Sequence, residues 1–118
     1  MRFDDGIIRL YQIVYDTQEG GKPNRKLNLY DSFYFGYETL GINRYYTALK
    51  ANEQIEAVVH IQGWLPLNVS EMIAVMENDV QYRIPLAQPT LDEFNLRITR
   101  LSLERIDQEY DIIDDQQS

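Results

Sequence analysis

The spacing of apolar residues along the chain changes from a strand-like to a helix-like period near the middle, then returns. Residues 6–17, GIIRLYQIVYDT, place Ile8, Leu10 and Val14 on one face and Ile7, Tyr11, Ile13 and Tyr15 on the other. Apolar groups on both faces predict a strand buried on both sides over part of its length. QEGGKPNR, residues 18–25, carries two glycines, a proline and an asparagine, which is turn chemistry. In KLNLYDSFYFGY, residues 26–37, Leu27, Leu29, Phe33 and Phe35 all fall on odd positions. The two runs predict a long antiparallel hairpin with a polar tip.

The period then shifts. Ile42, Tyr45, Tyr46 and Leu49 stand at i, i+3, i+4 and i+7, with Gly41 before them and Asn52 after. That spacing predicts a short amphipathic helix. Tyr45 and Tyr46 on such a stripe read as core or interface packing rather than a cofactor site. Alternation resumes in residues 53–62, EQIEAVVHIQ, followed by a connector at 64–71 and a short strand at 72–77. A turn at 78–80 leads into a strand at 81–88, a loop at 89–95 and a last strand at 96–106. Pro85 removes a ladder donor, so its strand lies at an edge or is bulged there. The apolar parity changes between Ile98 and Leu101, which predicts a second bulge. The expected fold is mainly β: a small β-barrel of about six antiparallel strands with a long hairpin and one short inserted helix. Residues 1–106 form its single domain, and 107–118 an acidic tail, frayed or ordered by a partner.

A length of 118 residues suits one domain. The chain has no cysteine, which removes disulfide and thiolate chemistry and suits a reducing compartment. Asp4 and Asp5 stand where a signal peptide is basic, and no window reaches the roughly 20 apolar residues of a membrane span. A soluble, intracellular protein without a membrane role is expected. The net charge of −8 opposes nucleic-acid and anionic-membrane binding. Lys22, Arg25 and Lys26 form the one local basic cluster, read first as a solvated hairpin loop.

Catalytic constellations are missing from the sequence. The one histidine, His60, sits in an alternating strand and reads as a surface or packing residue. No HxxxH, HxH or DxD spacing offers metal ligands, no GxSxG elbow surrounds a serine, and Gly20-Gly21-Lys22 is not a phosphate loop. Asp92-Glu93 and Asp114-Asp115 read as solvated charge. An enzyme is not expected, nor a cofactor or metal.

FGYETLG (35–41), RYYTALKAN (44–52), a strand, QYRI (81–84) with Gln88 beyond it, and LSLER (101–105) follow one another in an order that resembles the head-closure proteins of tailed bacteriophages. These are the stopper proteins of the head–tail connector. The resemblance spans residues 7 to 106. Asn78-Asp79 stands where the family pattern often has a glycine, and the acidic end after Arg105 has no place in the pattern. The resemblance implies a small β-barrel that assembles as a homo-oligomeric ring beneath the portal and its adaptor. Such a ring closes the DNA channel without reading sequence and presents a docking surface to the tail. It implies a location in the virion, after assembly in the host cytoplasm. A loop near residues 31–43 would help close the channel. Lys22, Arg25 and Lys26 at the hairpin tip, with Tyr34, Tyr37, Tyr45 and Tyr46, are the candidate assembly residues. The competing reading is a monomeric β-barrel module that binds a protein or peptide.

Overall fold

The computed structural model describes residues 2–17, 23–38 and 55–113. Its strands are β1 (Gly6–Thr17), β2 (Pro23–Tyr37), β3 (Ala57–Gln62), β4 (Met72–Val75), β5 (Gln81–Leu91), β6 (Arg97–Arg105) and β7 (Asp111–Ile112), with one 3-10 turn at Val69–Glu71. The sheet order is β1-β4-β5-β6-β3-β2-β7, and β1 also pairs with β2. That last pairing closes six antiparallel strands into a ring. Closure gives every strand two neighbours over part of its length and so limits exposed edges. The helix expected around residues 42–50, with Tyr45 and Tyr46, lies outside the described residues, as does Lys22.

Alternation fills the ring. Val59 and Ile61 of β3, Leu101 and Leu103 of β6, Met72 and Ala74 of β4, and Ile8 and Leu10 of β1 share one buried cluster with Phe35, Met76, Tyr82 and Ile84. Leu65, Leu67 and Val69 of the β3–β4 connector pack against it. The expected turn is present at Asn78-Asp79, where Asp79 takes a φ of 60° and the Asn78 side chain accepts from the Val80 N–H.

Two bulges re-aim the strands. In the β1–β2 ladder Leu10 faces Asp31 and Tyr11 faces Leu29, so Tyr30 is an extra residue. Beyond it β1 serves a second face: Ile8 and Leu10 belong to the interior, whereas Tyr11 and Ile13 join a second cluster with Leu27, Ile73 and Val75. In the β5–β6 ladder Arg83 faces Glu104 and Leu86 faces Ser102, which puts Ile84 and Pro85 against Leu103 alone. Pro85 therefore sits in a bulge, where its missing N–H costs no ladder bond.

Three expectations are corrected. No bulge interrupts β6 between Ile98 and Leu101: it pairs with β3 without a break from Leu103 against Ala57 to Ile98 against Gln62. The parity change arises because β6 is buried on both faces, with Leu101 and Leu103 inward and Ile98 and Ser102 on the other side. The loop expected at 89–95 is shorter, since β5 continues through Pro89, opposite Thr99, to Leu91.

The third correction concerns the tail. Residues 106–113 are laid on the outside of the ring. Ile106 and Tyr110 pack on the second cluster, and β7 runs parallel to Lys26 and Leu27 of β2. Buried Gln81 clamps the segment: its amide donates to the Tyr110 carbonyl and accepts from the Tyr110 N–H, both at 2.9 Å. Gln81→Ala should lower stability by about 1–3 kcal/mol, since it removes both bonds. The check is urea unfolding; an unchanged midpoint would show that the segment is not anchored there.

Candidate assembly surfaces and a buried polar cluster

Among the described residues, the candidates Arg25, Lys26, Tyr34 and Tyr37 do not gather at one place. Arg25 and Tyr15 are cross-strand partners on the far part of the hairpin, with the guanidinium 5.7 Å from the ring centroid. Both are exposed, and Lys26, half-buried, follows at the start of the β7 pairing. Tyr37 lies at the other end of β2, opposite Val59 of the ring. Twelve residues of extended chain separate Arg25 from Tyr37, roughly 40 Å. Tyr34 is 69% exposed and borders a small hollow with Phe3, Phe33 and Gln62. Tyr37 meets Phe35 edge-on at 5.2 Å. Partial burial raises its phenol pKa, and Tyr82 and the carboxylates Asp5 and Glu77 push the same way.

A further exposed apolar group was not read from the sequence. The β5–β6 turn carries Leu91, Phe94 and Leu96, all exposed, and Trp64 lies beside its stem. The Trp64 indole N–H donates to the Thr90 carbonyl at 2.8 Å, and Arg97 stacks 4.6 Å over its ring. Asp92 shapes the turn. Its Oδ1 accepts from the N–H groups of Phe94 and Leu96 at 2.8 and 2.9 Å, and Asn95 takes a φ of 61°. Burial alone would raise the Asp92 pKa; the bonds from Leu96 and Phe94, followed by the positive charge of the N-terminus, lower it, and the carboxyl lies below its usual range. A depressed folded pKa gives stability that is present above the unfolded value and lost as pH falls through the folded one. The stability difference between wild type and Asp92→Asn should therefore be largest near neutrality and shrink in acid. Thermal melts across that range check it; a difference that grows in acid would contradict it.

The second finding is a buried polar cluster on the outer face of β2, β3 and β6. His60 is 3% exposed and Glu38 8% exposed. His60 Nδ1 lies 2.8 Å from Glu38 Oε2, and Nε2 lies 2.6 Å from the Arg2 carbonyl. Arg100 reaches the other Glu38 oxygen at 3.1 Å. The Phe3 ring meets the imidazole edge-on at 5.2 Å. His60 is thus a packing residue, as expected, but a buried and fully bonded one rather than a surface one. Both its nitrogens are occupied, which leaves none for a substrate proton or a metal.

Gly36 makes this arrangement possible. It is the cross-strand partner of His60, and a Cβ there would stand 2.5 Å from His60 Nε2 and collide with the Arg2 carbonyl. A glycine inside a strand signals close approach of another group, and Gly36 between Phe35 and Tyr37 was the available clue. Beside the cluster opens a cleft of about 1120 Å³, walled by the N-terminal arm and by the turn at Leu91–Phe94. Among the described residues, no group of three or more metal-ligating side chains is present. No described helix is long and apolar enough to cross a membrane. Compared with known proteins, the chain matches no family model and no curated sequence.

Proposed function

We propose that the chain is a structural component of a tailed-phage head–tail connector. It forms a homo-oligomeric ring that closes the DNA-filled capsid and offers a docking surface to the tail. The observation that carries this reading is the shape: a closed ring of six strands from which one long hairpin extends, with exposed aromatics at both. Such a body suits assembly, since exposed tyrosines and tryptophan are the side chains that interfaces favour. The resemblance over residues 7–106 supplies the context. A net charge of −8 suits a wall beside duplex DNA, because like charge prevents sticking. The reading assigns no catalytic step; the partners are the portal or its adaptor on one side and tail proteins on the other.

The test is deletion of the gene from its phage, with electron microscopy of the lysate. The expected result is separate tails and tailless or emptied heads, restored by the wild-type gene. Complementation by Arg25→Glu should restore heads that retain DNA but attach tails poorly, with folding unchanged, because an exposed charge contributes little to stability. Normal infectious particles from the deletion strain would remove the connector reading and leave the monomeric binding module.

A further inference from the structure

We propose that His60 is a proton-operated latch for the N-terminal arm, residues 2–5. The arm crosses the outer face of β2 and β3, and among the described residues three hydrogen bonds hold it. The Asp5 N–H donates to the Phe35 carbonyl at 3.0 Å, and the Tyr37 N–H donates to Asp5 Oδ2 at 2.8 Å. The third bond joins His60 Nε2 to the Arg2 carbonyl at 2.6 Å.

Only the third depends on a titratable donor. Nδ1 faces a Glu38 carboxylate oxygen and Nε2 faces a carbonyl. Both partners accept, so both ring nitrogens donate and the ring is an imidazolium. Arg100, paired with the other Glu38 oxygen, favours the carboxylate anion and so places the shared proton on the ring. When the ring gives up one proton, one nitrogen presents a lone pair. The nitrogen against the carboxylate keeps its hydrogen, because the bond to a charged oxygen is the stronger one. Nε2 then turns a lone pair toward the carbonyl oxygen of Arg2, and attraction becomes repulsion. Gly36 lies directly beneath Nε2, so the ring is packed against backbone on that side. The element free to yield is the arm.

Release would take the arm off the outer face of β2 and β3 and remove one wall of the cleft. The other charged groups around that cleft are Arg2, Asp4 and Asp5 on the arm, Glu38 after β2, Arg100 on β6, and Asp92 and Glu93 at the β5–β6 turn. The latch does not rest on the connector reading; it follows from the hydrogen bonds alone.

The test is NMR on the full chain from about pH 5 to about pH 9, which brackets the ordinary histidine titration. Ring nitrogen shifts count the hydrogens on His60, and nitrogen relaxation of the Phe3, Asp4 and Asp5 amides reports the order of the arm. The expected result is a doubly protonated ring with a rigid arm at low pH, and loss of arm order with the same midpoint as the ring. An arm that stays rigid after the ring loses its proton overturns the proposal. So does an arm already mobile beside the imidazolium, or a ring whose protonation does not change across the range. His60→Gln should abolish the transition; its survival would assign it to the carboxylates and also overturn the latch. Arg2→Ala should keep it, because the bond is to main chain.

Discussion

Gly36→Ala is expected to lower stability by roughly 3–5 kcal/mol, combining overpacking with loss of the partly buried hydrogen bond between His60 and the Arg2 carbonyl. The new methyl has no space. It would meet the Arg2 carbonyl on one side and His60 Nε2 on the other, and neither is the loose end of a flexible side chain. His60 is fixed by Glu38, and the Arg2 carbonyl belongs to an arm already bonded at Asp5. Relief therefore requires the arm to lift or β2 and β3 to part. For a domain whose total stability is about 5–15 kcal/mol, that is a large share. Urea unfolding measures it. A loss under about 1 kcal/mol would mean that the contact at Gly36 is not as close as described.

Glu38→Ala is expected to cost about 3–5 kcal/mol, because it removes one partner of a buried ion pair and leaves the others facing each other. The His60 ring and the Arg100 guanidinium share this one carboxylate. Without it, His60 Nδ1 and the Arg100 guanidinium both lose their acceptor, and His60 is too deeply buried for water to replace it. Arg100→Ala should cost less, since its side chain is 23% exposed and solvent can take its place on Glu38. A double-mutant cycle between positions 38 and 100 should show coupling, as residues of one network do. Equal, small losses in both single variants would remove the cluster as a structural element.

Much of the ring was legible because a half-buried strand writes its period directly into sequence. β1, β2 and β6 are long enough for their apolar residues to set the pattern, and Pro85 announced its own bulge. Closure was less visible, since it depends on which distant strands meet. The β6 parity change misled because its two faces are both buried, and alternation cannot distinguish that from a bulge. Residues 107–113 looked like a polar tail because, of their side chains, only Tyr110 packs on the second cluster, beside Ile106, which directly follows β6. The polar cluster was hidden by distance along the chain: His60 is 22 residues from Glu38 and 58 from Arg2, and Arg100 is 62 from Glu38. Charge alone gives no sign that such residues meet. Gly36 was the one local mark of the close approach between them.

The most direct measurement is electron cryomicroscopy of the neck of purified virions, with the chain identified by a tag at its C-terminus. The expected result is a ring of copies at the head–tail junction, each fitted by the six-stranded closed sheet, with the β1–β2 hairpin reaching a neighbouring protein. Virions whose neck contains no such ring, and from which the tagged chain is absent, would contradict the connector reading.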